Sequence, residues 1–326
     1  MNKTVLVTGG AGFIGFHVSM ALLNRGDKVV IVDNFNDYYS PALKHARAKK
    51  LINSSDSKSL KIYKLDISKF KNIEKVFKKY KFDKICHLAA QAGVRNSLKD
   101  PFKYESWNNL GTLNLLELSK NYSVKDFVFA SSSSVYGGNK KIPFSEEDRV
   151  DNPISFYAAT KKSNELCAYV YHHLYNLNCT GLRFFTVYGP WGRPDMALFK
   201  FVKNIIEEKS IDVYNHGNMK RDFTYISDIV KGVLAAIDNP FAYEIINLGN
   251  NNPVELKKFI EIIEKIVGKK AKLNLMPIQP GDVLITYADI KKAKRLLGYE
   301  PKTNIEEGVK KFVEWYLSQK KDLINI

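Results

Sequence analysis

Near its start the chain reads Val5-Leu6-Val7-Thr8-Gly9-Gly10-Ala11-Gly12-Phe13-Ile14-Gly15, a β-branched run that turns through spaced glycines into a helical segment. Gly9, Gly12 and Gly15 fall at every third position. A side chain at any of them would hold the backbone away from a pyrophosphate lying on the helix N-terminus. A lone glycine triplet is a weak signal, but a strand before it and a helix after it make it meaningful.

The same alternation continues downstream. Strands are predicted over 4–8, 28–32, 61–65, 84–88, 126–130 and 178–183, and helices over 14–25, 41–52, 73–79, 101–119 and 155–175. Strands alternating with helices imply an α/β fold, a Rossmann-type doubly wound parallel sheet with helices on both faces. Beyond Arg183 the texture changes at the loop Gly189-Pro190-Trp191-Gly192-Arg193-Pro194, and shorter, less regular elements follow. Residues 1–186 read as a dinucleotide-binding domain. Residues 187–326 read mainly as a smaller, interwoven α/β substrate domain, with a return to the sheet near 226–248. A chain of 326 residues buries a substantial core in either arrangement.

The formal charge of +16 is compatible with nucleic acid, an acidic membrane surface or an anionic small ligand. The lysines, however, are scattered in pairs such as Lys49-Lys50, Lys78-Lys79, Lys257-Lys258, Lys269-Lys270 and Lys320-Lys321, without interleaved aromatics. That pattern predicts a solvated lysine-rich surface rather than a nucleic-acid face. No apolar run approaches the ~18 residues of a membrane span, and the early first strand leaves no room for a signal peptide. Cys86, Cys167 and Cys179 are odd in number, widely spaced and without a Cys-x-x-Cys metal pattern. Set in apolar stretches, they are expected as reduced core thiols of a cytoplasmic protein.

Two further clusters carry chemistry. Asp33, at the end of the second predicted strand, stands where a carboxylate accepts both ribose hydroxyls and repels a 2′-phosphate, favouring NAD over NADP. Asp66, after the third, is a candidate acceptor for the adenine amino group. The second cluster is Tyr157-Ala158-Ala159-Thr160-Lys161, a phenol and an ammonium on one helical face. The same Tyr-x-x-x-Lys spacing occurs at Tyr80/Lys84, Tyr136/Lys140, Tyr287/Lys291 and Tyr316/Lys320. Context separates Tyr157/Lys161 from these, because Ser131-Ser132-Ser133-Ser134 places hydroxyls at the C-terminal edge of the sheet, where open α/β folds bind ligands. A phenol of pKa ~10 is a poor base at neutral pH. A neighbouring ammonium and an oxidised nicotinamide are expected to lower it.

These segments resemble the extended short-chain dehydrogenase/reductases, specifically the NAD-dependent sugar-nucleotide epimerases. The glycine turn, Leu88-Ala89-Ala90, the serine run before Val135-Tyr136-Gly137, Tyr157/Lys161 and Arg183-Phe184-Phe185-Thr186-Val187-Tyr188-Gly189 occur in the family's order. Within it, the segments 33–39, 90–95, 189–197 and 279–283 are most similar to UDP-glucuronate 4-epimerases. The resemblance implies a retained NAD, held by Gly9, Gly12, Phe13, Ile14 and Gly15 of the turn, Asp33, Asn34 and Asn36, Asp66 and Ile67, and Leu88, Ala89, Ala90 and Gln91, together with Tyr157 and Lys161. It implies Ser132, Tyr157 and Lys161 as the catalytic set. Ser133, Ser134 and Thr186 would line the sugar and its carboxylate, and Arg95 and Arg193 would lie near the anionic substrate. Arg221 and Asp282 would hold the diphosphate and uridine ribose, and Met196 and Tyr214 complete the substrate-binding set. A homodimer through helices 101–119 and 155–175 is also implied.

Related 4,6-dehydratases and decarboxylases carry an acid just after the catalytic hydroxyl, where this chain has Ser133-Ser134-Val135. A plain oxidation–reduction cycle at C4 is therefore expected, on UDP-glucuronate or alternatively on UDP-glucose, UDP-galactose or their N-acetyl forms. Gln279 replaces an arginine common in UDP-galactose 4-epimerases, removing one phosphate contact. A dinucleotide-sensing binding protein is disfavoured by the intact Ser132–Tyr157–Lys161 set.

Overall fold

The structure is a computed structural model that describes residues 2–319. The Lys320-Lys321 pair, and with it the lysine of the Tyr316/Lys320 spacing, lies outside the described residues. Seven parallel strands form the main sheet: β1 (Thr4–Thr8), β2 (Lys28–Asp33), β3 (Leu60–Lys64), β4 (Lys84–His87), β5 (Asp126–Ser132), β6 (Asn178–Phe184) and, later in the chain, Tyr243–Leu248. Their order is Tyr243–Leu248, then β6-β5-β4-β1-β2-β3. The order reverses at β1, and the crevice beyond the strand C-termini at that point is where a doubly wound sheet binds its ligand.

Parallel strands bury both faces, so they read as continuous apolar runs. Val5, Leu6 and Val7 are fully buried. One apolar cluster runs from these strands through Phe16, Phe199 and Phe223 to Phe312 and Tyr316 of the last helix, so the sheet and the C-terminal elements share a core. Helix Phe13–Asn24 and helix Pro41–Asn53 cover one edge of the site. The C-terminal portion adds small sheets of Thr186–Tyr188, Lys220–Tyr225 and Pro253–Glu255, and of Ser210–Tyr214 with Lys272–Met276.

Most differences from the sequence expectation are single-residue shifts, with four exceptions. The helix expected over 73–79 begins three residues earlier, as Phe70–Lys79. Strand β5 continues through Ser132, because Ser131 and Ser132 pair with Arg183 and Phe184 of β6. A short helix, Val94–Lys99, follows Gly93 and has no apolar periodicity to announce it. The long helix expected over 101–119 holds a π-helical turn, Glu105–Leu110, between Pro101–Tyr104 and Gly111–Asn121. Such a turn leaves backbone carbonyls to be satisfied otherwise. Here the Asn108 carbonyl accepts from Thr112 Oγ1 (2.5 Å) and Asn164 Nδ2 (3.0 Å).

The named lysine pairs within the described residues are exposed. All three cysteines are unpaired, Cys86 and Cys179 being buried. Among the described residues no helix is long and apolar enough to cross a membrane.

Candidate active site

A cleft of about 1070 Å³ opens beyond the C-terminal ends of β1, β2, β4 and β5. The residues at its floor are there for local reasons. Gly9 sits at φ +71°, and a Cβ on it would meet the Ala89 nitrogen at 2.7 Å. A Cβ on Gly15 would meet the Gly9 carbonyl oxygen at 2.1 Å. The turn therefore packs backbone on backbone at the N-terminus of helix Phe13–Asn24, a cradle without side chains that fits a dinucleotide pyrophosphate. Asp33 caps the same turn from β2: Oδ2 accepts from the Ala11 N–H (3.0 Å) and Oδ1 from Phe35 (2.8 Å). Asp33 lines the cleft alongside Asn34 and Asn36.

Every site residue expected from the sequence lines this cleft except Asp66. The Asp66 carboxylate is occupied by the Ser68 N–H (2.8 Å) and by Trp107 Nε1 (3.1 Å), while its neighbours Leu65 and Ile67 reach the cleft wall.

Tyr157 lies in the first turn of helix Phe156–Tyr175, which Ser155 caps by accepting from the Ala158 N–H at 3.1 Å. Burial raises the Tyr157 phenol above its ordinary value, opposed by its hydrogen bond with Ser132 and by the Arg193 charge. In the chain by itself this direction is opposite to the one expected from a neighbouring ammonium. The reason is visible in Lys161. Its Nζ donates to the Ala130 carbonyl (2.8 Å) and lies 6.0 Å from the Tyr157 ring centroid. Burial pushes it down to about 8, opposed by Glu165.

Beneath this pair runs a hydrogen-bonded relay. Thr112 gives its hydroxyl proton to Asn108, so it accepts from His87 Nε2 (3.0 Å), and Nδ1 accepts from Thr8 Oγ1 (2.7 Å). Thr8 in turn accepts from the Ala89 N–H. Burial and then the Lys161 charge push His87 down to about 3, which matches this neutral tautomer. Asn108 holds both the N–H (2.8 Å) and the carbonyl (3.0 Å) of Gln91 and donates to Thr160 (3.0 Å). It thereby ties the strand-end loop 88–91 to the catalytic helix.

The opposite wall carries cations. Arg193 forms a two-point ion pair with Asp195 (3.0 and 2.5 Å), and Asp195 also accepts from the Tyr38 hydroxyl (3.3 Å). Arg95 pairs with Asp282 (2.6 Å) and lies 3.9 Å above the Tyr214 ring. Arg221 donates to the Lys220 carbonyl (2.8 Å). Burial lowers its pKa, Asp282 opposes this, and Arg95 lowers it further. Ser132 Oγ sits 3.1 Å from Ser134 Oγ and accepts from the Ser134 N–H. The carboxylates on the cleft are Asp33, Asp195, Asp212 and Asp282, and none is on the turn that follows Ser132.

Sequence reasoning assigned no role to Asp195, Asn108 or Glu165. The first stands two residues from Arg193, the second is a polar residue in the midst of a predicted helix, and the third is one turn beyond Lys161. Each spacing was readable, but its meaning depended on folding.

Comparison with known proteins shows the family. A profile of the GDP-mannose 4,6 dehydratase family matches residues 6–312. The chain belongs to that family. Among its members, UDP-glucuronate 4-epimerase 4 of Arabidopsis thaliana is 50% identical over 333 residues, covering 97% of this chain and 75% of that protein. The UDP-glucuronate 4-epimerase of Thermodesulfobacterium geofontis is 50% identical over 311 residues, 95% of each chain. The crystal structure of the UDP-glucuronic acid 4-epimerase from Bacillus cereus, in complex with UDP-glucuronic acid and NAD, is similar with a TM-score of 0.89. It is 36% identical and covers 97% of this chain and 99% of that one.

Proposed function

We propose that the protein inverts C4 of UDP-glucuronate to give UDP-galacturonate, with NAD as a resident cofactor. The observation that carries this reading is Arg193. Its side chain is 21% exposed, and its charge reaches the Tyr157 phenol across the same cleft that Thr186 and the serine turn line. Arg193 already closes on Asp195; a sugar carboxylate beside Thr186 and the serine turn would share that guanidinium, whereas a neutral hexose offers it no anion.

The glycine turn, Asp33 and the loop 88–91 hold the dinucleotide. NAD bound there would supply the hydride acceptor and donor for C4. Tyr157 takes the proton of the 4-hydroxyl and later gives it back, with Ser132 hydrogen-bonded to the phenol and Lys161 beneath it. Ser133, Ser134, Thr186 and Arg193 pin the carboxylate, with Met196 beside them. Held out of line with the C4 ketone, that carboxylate keeps its carbon against loss of CO₂. Arg95, Tyr214, Arg221 and Asp282 grip the UDP, so the 4-keto sugar turns over within the cleft instead of diffusing away. In this reading residues 187–326, apart from the strand Tyr243–Leu248, supply most of the substrate half.

The working unit is a homodimer in a reducing, cytoplasmic setting. Leu166, Val170 and Leu174 make an exposed apolar stripe on helix Phe156–Tyr175, next to exposed Leu110 and Leu113. A stripe at helical spacing left bare on two adjacent helices suits an isologous contact with a second copy. The unpaired cysteines support the compartment.

The deciding experiment incubates purified protein, without added cofactor, with UDP-glucuronate, UDP-glucose and UDP-N-acetylglucosamine and identifies products by NMR. Conversion of UDP-glucuronate alone is expected. Conversion of only the neutral sugars would replace this reading with a neutral-hexose 4-epimerase.

A further inference from the structure

The loop that delivers Arg193 closes one turn of its own, Gly192 N–H to the Gly189 carbonyl (3.1 Å), and is otherwise held from outside. Trp191 sits in the left-handed region (φ +61°), and three successive carbonyls, those of Pro190, Trp191 and Gly192, point into the protein and need donors. All three donors come from the dinucleotide half. His17, on the helix that starts at the glycine turn, gives Nε2–H to Pro190 (2.9 Å). Arg47, on helix Pro41–Asn53, serves the other two: Nη2 to Trp191 (2.6 Å) and Gly192 (3.2 Å), with Nε also to Trp191 (3.1 Å).

The same guanidinium has a second hold. Its Nη1 donates to the Ala11 carbonyl in the glycine turn (3.0 Å) and to the Tyr39 hydroxyl (2.6 Å). Ala11 is also the residue whose N–H is fixed by Asp33. Arg47 is wholly buried, and only a planar fork with five donors spans both backbones at once. Cα positions in the turn and the loop are therefore referred to one rigid group, one residue away from Arg193.

We propose that Arg47 is a positioning residue that couples the two halves of the site, so that dinucleotide held on the glycine turn sets where Arg193 stands for the substrate's anionic group. The anionic group rests on the function proposed above; the coupling between turn and loop does not.

Hydrogen–deuterium exchange on NAD-stripped and NAD-loaded protein separates the two. In wild type, NAD should slow amide exchange both in 9–15 and in 189–196, the latter by about fivefold or more. In Arg47→Met, 9–15 should still be protected while protection of 189–196 falls below about twofold, and Arg47→Lys should lie between. Tyr39→Phe, which frees one arm of the fork without emptying its pocket, gives the same direction should Arg47→Met fold poorly. Equal NAD protection of 189–196 in wild type and the Arg47 variants overturns the proposal, as does none in wild type. On NAD-loaded protein, Arg47→Met should weaken UDP-glucuronate binding about tenfold and UDP binding less than twofold. Equal wild-type affinity for UDP-glucuronate and UDP-glucose would instead count against the substrate reading, leaving the exchange result to decide the role of Arg47.

Discussion

Glu165 and Arg183 meet through two N–H···O bonds of 2.8 Å each, where neither side chain shows more than 3% of its surface. The pair is part of the site's foundation. Glu165 also accepts from the Ser131 hydroxyl (2.7 Å), and Arg183 continues to the Tyr136 hydroxyl (3.0 Å), which donates to Asn247 (2.7 Å). Helix Phe156–Tyr175, β5, β6 and the strand Tyr243–Leu248 are thus tied by one network directly under the serine run. Glu165→Gln keeps the shape but leaves Arg183 charged in a dry place. Breaking one half of a buried pair costs about 3–5 kcal/mol. Urea unfolding should show a loss of that order, and a change within about 0.5 kcal/mol would show the pair to be dispensable.

Tyr157→Phe removes the phenolic oxygen and leaves the ring, which packs edge-on to Tyr104 at 6.1 Å. The glycine turn and Asp33 are untouched, so the purified variant should carry NAD as the wild type does. Turnover of UDP-glucuronate should fall by several orders of magnitude, since a proton-transfer group contributes about 10²–10⁴ and the phenol also orients the reacting hydroxyl. Near-normal turnover would remove Tyr157 from the chemistry.

Lys161 links activity to pH in a way that is distinct from unfolding. Burial holds it near 8, below its ordinary 10.5, so its cation is lost as pH rises through about 8. Turnover that depends on that cation should decline over the same range. Stability moves the other way: the unfolded chain binds more protons than the folded one between about 8 and 10.5, so this group makes the fold more stable as pH rises there. Turnover and thermal melts measured together from pH 7 to 10 check this. Turnover flat to pH 10 would show that the charge on Lys161 is not used.

The sheet was legible because its signal is local: β-branched runs alternating with amphipathic ones, and glycines where backbone meets backbone at Gly9 and Gly15. The reacting residues were legible for a different reason, since a phenol and an ammonium one turn apart need only a helix to be placed together. What sequence could not convey was the partner of each charge. Lys161 reads as the cation beside Tyr157, yet its Nζ donates to the Ala130 carbonyl of β5 (2.8 Å). Arg95 and Arg193 read as free anion-binding groups, yet each closes on a carboxylate, Asp282 and Asp195, one brought by the fold from far along the chain. Asp66 stands outside the cleft lining and accepts from Trp107 of the π-helical turn, a partner that no local pattern announces.

His17 makes the link between the two halves of the site sensitive to acid. Burial pushes its pKa down to about 4, the bond to Pro190 opposing this and the Arg47 charge adding to it. The unfolded chain, with His17 at its ordinary 6.5, binds a proton that the folded chain refuses, so the group's contribution is intact above 6.5 and is lost as pH falls towards 4. The loss amounts to about 3 kcal/mol at the acid end. His87 acts in the same sense over a window that also opens at 6.5 and extends to about 3. His17→Gln keeps a donor for the Pro190 carbonyl and has nothing to titrate. Its urea midpoint should therefore fall less steeply between pH 6.5 and 4.5 than that of the wild type, with the two curves converging above pH 7. Parallel curves across the whole range would mean that His17 protonates without disturbing the fold, and that the loop 189–194 does not depend on its neutral ring.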